Sequence, residues 1–138
     1  MSGHIIPMSY SYSKFLLYSS FTIGISAAIA YIMNDLYVTA YLIFLFLTSI
    51  NYWRKPEYGL RRNIDLTAVY LCTCYTVLNM FLLKDEFHRV CLFIVFFCMN
   101  LFFLIENILY YFNNRKWIIF HMAMHMYVSI GACLIVFD

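Results

Sequence analysis

Two histidines four residues apart, His121 and His125, sit in a stretch that is otherwise apolar. On a helix this spacing puts both imidazoles on one face, where they can offer nitrogens to one metal ion. Zinc suits such a pair, with a carboxylate and a water completing a tetrahedron. Asp65 and Glu106 are the candidate third ligands. The metalloprotease pattern His-Glu-x-x-His is not met, because Met122 stands where the general base belongs. Two imidazoles on one turn cannot take opposite axial positions, which disfavours a bis-histidine haem. The same residues also read as a packing network, His121 and His125 being hydrogen-bonded to Glu106, Asn107 or tyrosine hydroxyls, or as groups that handle protons. Ser49 completes the polar set. His4 and His88 fall in the tail and in a loop and carry no expectation.

The surroundings of these residues fix their solvent. Hydrophobic residues make up 64% of the 138 and charged residues 12%, a balance far from that of soluble domains. Five apolar runs, near 15–33, 36–53, 64–83, 90–112 and 117–137, are each close to the length of about 20 residues that a helix needs to cross a bilayer. They do not alternate as barrel strands would. The expectation is all-α: a single polytopic domain over 1–138, an integral membrane bundle of five transmembrane helices after a short polar tail, 1–14. Ser20, Gly24 and Ala28 form a small-residue stripe in the first run, and Asn34-Asp35 reads as a tight turn into the second. Trp53, Tyr58 and Trp117 fit headgroup level. All five cysteines fall inside runs, without a Cys-x-x-Cys pair, and read as packing residues.

Lys14, Arg54, Lys55, Arg61, Arg62, Arg115 and Lys116 are seven of the nine basic residues, and all fall on one side if the runs are crossings. The positive-inside rule then puts the N-terminus in the cytoplasm and the C-terminus opposite. The basic loop 54–63 suits contact with anionic headgroups, and nothing points to nucleic acid. The partners expected are the lipid bilayer and a second copy or another membrane protein. A secretory-signal reading of the first run, with cleavage after Ala28-Ile-Ala30, competes with its reading as a span.

At a rise of 1.5 Å per residue, His121 and His125 lie about 6 and 12 Å below the basic surface, Glu106 about 9 Å and Ser49 about 6 Å, with Asp65 at the mouth of its span. Ionisable groups at such depth cost about 2.5–3.5 kcal/mol each, so each needs a partner or a purpose. Asp65, Cys72 and Asn79 share one helical face, as do Asn100 and Asn107, and both faces are expected to turn inward.

Ser49-x-x-x-Trp53, then Asp65, then His121-x-x-x-His125 resembles the signature of the superfamily that includes the alkaline ceramidases and the progestin and adipoQ receptors. The resemblance implies a zinc-dependent membrane hydrolase acting on lipid amides. His121 and His125 would be ligands, and Asp65 and Ser49 would be catalytic, orienting the zinc-bound water and stabilising the oxyanion. Two features depart from that pattern. Trp53 occupies the place of a ligating histidine, and the family has seven spans where this chain has five. The leading expectation is therefore a small multi-pass membrane protein whose polar cluster serves structure or binds a partner or ligand. The alternatives are the hydrolase and a proton or ion path in an oligomer.

Overall fold

The computed structural model describes residues 10–56 and 59–138, with the side chains of 10 and 11 excepted. Five helices follow one another: α1 (Tyr10–Ile32), α2 (Leu36–Trp53), α3 (Leu60–Leu82), α4 (Glu86–Tyr111) and α5 (Trp117–Val136). No strand occurs among the described residues, and all five helices are long and apolar enough to cross a membrane. His4 and Tyr58 lie outside the described residues.

The ends of the helices follow from local chemistry and shift several expected bounds. Helix α1 begins at Tyr10, inside the expected tail, and already buries Ser13. It ends where Asn34 takes a left-handed conformation (φ 62°) and the Asp35 N–H donates to the Ala30 carbonyl at 3.0 Å, the six-to-one bond of a Schellman turn. The Asp35 carboxylate then accepts from Val38 N–H at 3.0 Å and starts α2. The α4–α5 turn repeats the device, with Asn113 at φ 53° and Asn114 N–H donating to Leu109 at 2.8 Å. Helix α3 starts at Leu60 rather than 64, just after Gly59 at φ 134°, a conformation side chains rarely adopt. Its first turn is polar, so hydropathy alone places the start too late. Helix α4 likewise starts at Glu86, because Asp85 caps it by accepting from His88 N–H at 2.9 Å.

Helix α1 is the hub. Ser13, Leu16, Ser20, Ile23, Ala27 and Ala30 are all buried and recur at alternating three- and four-residue steps, the spacing of a helix–helix seam. This corrects the expected stripe: Ser20 belongs to it, but Ala28 is exposed. The bulky residues of α1, Phe15, Tyr18, Phe21, Ile25 and Tyr31, point outward instead. With small side chains inward, α2 and α5 both pack closely on α1, α4 packs on α5, and α3 packs on α2. The order around the bundle is therefore α3–α2–α1–α5–α4, an arc whose two end helices barely touch each other. Helix α4 is the extreme case, with Leu92 its one buried residue.

At the end of the bundle away from the basic loop, Asp138 closes the α3–α4 turn. Its carboxylate accepts from Lys84 N–H at 3.0 Å and Asp85 N–H at 2.8 Å. Those two N–H groups hold the Asp138 carboxyl below its ordinary value of 3.8. The His88 backbone N–H, and then its ring at 2.7 Å, do the same for Asp85.

Two expectations follow. Ala27→Leu puts extra methylenes into the α1 seam and should destabilise by about 1–3 kcal/mol, whereas Ala28→Leu on the outer face should stay within about 0.5 kcal/mol; equilibrium unfolding in detergent reads both. Because both carboxyl groups titrate below 3.8 in the folded chain, their contribution is present above that value and is lost as pH falls beneath it. Hydrogen exchange, corrected for intrinsic rate, should show protection of the Lys84, Asp85 and His88 amides failing only there. Asp138→Ala should remove it for Lys84 and Asp85 at every pH.

Candidate functional site

The gap between α3 and α4 is the mouth of a cavity of about 440 Å³, within the roughly 300–1,000 Å³ usual for small-molecule sites. All five helices contribute to its wall. Helix α1 supplies only Ile23 at the back, and α3 and α4 form the two lips. Because α2 and α4 end, and α3 and α5 begin, at the basic end of the bundle, Trp53, Arg62, Asp65, Glu106, Tyr110, Trp117 and His121 gather there. Farther in, the wall is largely apolar, with Leu45, Val69, Val95, Phe96, Val128 and Gly131.

Ser49, Asp65, Glu106, His121 and His125 all line this one cavity, as their shared depth predicts. They are not one constellation, however, but three separate pairs. The Ser49 hydroxyl donates to Asp65 Oδ1 at 2.9 Å, both side chains being buried. His121 Nδ1 lies 2.9 Å from Glu106 Oε1, with 17% and 15% of these side chains exposed; a carboxylate oxygen can only accept, so that nitrogen carries a proton. His125 Nδ1 is 2.7 Å from the hydroxyl of Ser19. That hydroxyl spends its proton on the Leu16 carbonyl at 2.9 Å, so it accepts from His125, and His125 is the Nδ1–H tautomer. The two imidazoles meet edge to face, with centroids 4.9 Å apart.

This geometry does not suit the expected zinc centre. A catalytic zinc needs three protein ligands around one point. Among the described residues no three His, Cys, Asp or Glu side chains are so placed. The Nδ1 atoms of His121 and His125 bond partners on different helices, Glu106 on α4 and Ser19 on α1. The packing network foreseen between His121 and Glu106 is present; Ser19, the partner of His125, is not among the partners expected. Its signal is the serine set of α1, Ser13, Ser19, Ser20 and Ser26, all buried.

Trp53 is packed into the bundle. Placed by sequence at headgroup level, it is 5% exposed, because it packs edge to face on His121 at 4.9 Å and near Trp117 at 6.5 Å. Asn100 and Asn107 line the cavity but are exposed, and each satisfies its amide on its own helix, at Phe96 and Phe103. Asn79 does the same at Tyr75. A carbonyl one turn back is always within reach of an asparagine, so these side chains need no inward partner. Two buried atoms of the cavity wall have no hydrogen-bond partner, Trp53 Nε1 and Glu106 Oε2.

Comparison with protein-family models, with curated proteins and with solved structures returns no match to this chain.

Replacing Ser19 by Ala leaves a buried imidazole N–H unpaired, which should cost about 1–3 kcal/mol. Nitrogen-detected NMR of the histidine rings should show the Nδ1–H tautomer of His125 in the parent and its loss or exchange in the variant, with His121 unchanged.

Proposed function

We propose that this chain is an integral membrane bundle that binds an amphiphile, which it takes in sideways from the lipid phase between α3 and α4. Five helices long and apolar enough to span, and the outward Phe93, Phe97, Leu101 and Leu104 of α4, favour the bilayer as solvent. The observation that carries the reading is the polarity gradient along the cavity. One end gathers the ionisable side chains Asp65, Glu106 and His121 with Ser49, and the rest is mostly apolar wall with neutral Tyr41, Thr73, Thr76 and Asn100 among it. A lipid-like molecule has that same division, and the open α3–α4 side lets it enter without crossing water. In this reading the three buried pairs hold the polar end in shape, so that the walls are formed before the ligand arrives. The basic end faces the cytoplasm, by the charge asymmetry of the loops.

The lipid-amide hydrolase reading draws on the Ser49–Asp65 hydrogen bond, which brings together the two residues the resemblance names as catalytic. Among the described residues no group of three side chains could hold its metal, and binding is the function proposed.

The chain has two tryptophans, so Trp117→Phe leaves Trp53 as the sole indole emitter. In vesicles of lipid with brominated chains, Trp53 emission should fall by at least half, although the residue is buried within the bundle. Val69→Phe with Val95→Phe narrows the cavity from both sides and should restore most of the lost emission. Emission equal to that in unbrominated lipid, or quenching that the narrowing leaves untouched, would overturn the reading.

A further inference from the structure

We infer that the polar end of the cavity is built for the head of a zwitterionic phospholipid bearing a primary amine, of the phosphoethanolamine type; this rests on the amphiphile-binding reading above. Two unsatisfied atoms flank one imidazole. Glu106 binds His121 through Oε1 at 2.9 Å, and its Oε2 is buried without a partner. On the other side the Trp53 ring lies 4.9 Å from His121, and its Nε1–H is likewise buried and unpartnered. A buried polar atom left unpaired is costly, so an occupant that satisfies both is favoured over one that satisfies neither. The first atom needs a donor and the second an acceptor, and both residues contact His121.

The surroundings set the charges. Glu106 and Asp65 bring two carboxylates to this end. Aromatic rings cluster around His121, the partner of Glu106: Trp53 is 4.9 Å and Trp117 6.3 Å from it, and Tyr110 is 5.6 Å from Trp117. Carboxylate plus aromatic faces is the environment that holds an ammonium. Arg62, on α3, adds a positive charge to the lining of the same cavity, which favours an anionic phosphate there. A primary ammonium donates to Glu106 Oε2, and a phosphate oxygen accepts from Trp53 Nε1–H. A trimethylammonium has no N–H to give to Glu106, and a glycerol head brings no cation. The open side between α3 and α4 lets the lipid enter sideways, its head at the polar end and its chains against the apolar wall.

The test is native mass spectrometry of the full chain in detergent, titrated with phosphatidylethanolamine, phosphatidylcholine and phosphatidylglycerol of identical chains. The ethanolamine lipid should be retained at one per chain, with about tenfold higher affinity than the choline lipid and a larger margin over the glycerol lipid. Glu106→Gln should bring the ethanolamine and choline lipids to near equality. Trp53→Phe, which keeps a ring but removes the N–H, should weaken both alike. Thermal midpoints of both variants identify any that fail to fold, and the three-lipid ranking on the parent chain decides the matter independently of them. Equal retention of all three lipids, as expected if only water bridges the two atoms, overturns the headgroup assignment. If brominated chains still quench Trp53, the amphiphile cavity survives that result; if they do not, both readings fall.

Discussion

Helix α1 turns a seam rich in small side chains inward and most of its aromatic ones outward, and the whole arrangement depends on that division. Serines and alanines at Ser13, Ser20, Ala27 and Ala30 let two other helices approach α1 at once. Close backbone approach adds to the burial of Leu16 and Ile23 as a source of packing. Gly24 shows how tight the fit is, since an added methyl there would meet the Phe46 ring at 3.1 Å. With α1 holding α2 and α5, α3 and α4 can each pack on one neighbour only. They are left at the two ends of an arc, and the space between them is the cavity. The site is thus a consequence of where the small residues are, on a helix that contributes almost nothing to its wall.

The polar residues follow a second rule, that a buried donor or acceptor must find a partner. Many bond a carbonyl of their own helix, and three pairs form between helices. Ser49 ties α2 to α3 through Asp65, Glu106 ties α4 to α5 through His121, and Ser19 ties α1 to α5 through His125. Each bond joins neighbours in the arc, and none bridges the α3–α4 gap. The network therefore holds the walls in place without closing the mouth. Against that background the unpaired Trp53 Nε1 and Glu106 Oε2 stand out, because they lie beside the same imidazole and differ in what they require.

Much of this was legible from residue types and spacing. The five apolar runs correspond to the five helices, with α2 matching its expected bounds at Leu36–Trp53. The common depth of Ser49, Asp65, Glu106, His121 and His125 follows from chain order and helical rise, and the structure gathers them at one cavity. Helix ends were less legible wherever a polar first turn is still helical, as at Arg61 and Arg62, because hydropathy and helicity part company there. The burial of Trp53 was not legible, because an indole near the end of an apolar run can be exposed or packed at the same depth. Only the contact of its ring with Trp117 and His121 of α5 decides between the two.

What the sequence determined by itself was number, length and level: how many apolar helices there are, where they turn, and how deep each polar group lies. Those quantities depend on distance along one chain, which the helix converts directly into distance in space. What tertiary structure decided was lateral placement. Which helix stands beside which sets that His121 pairs with Glu106 while His125 pairs with Ser19, and that splits an apparent two-histidine site into separate hydrogen bonds. Periodicity orients a face only within its own helix. The face opposite it is chosen by the packing of all five, and here that choice was made by the small residues of α1.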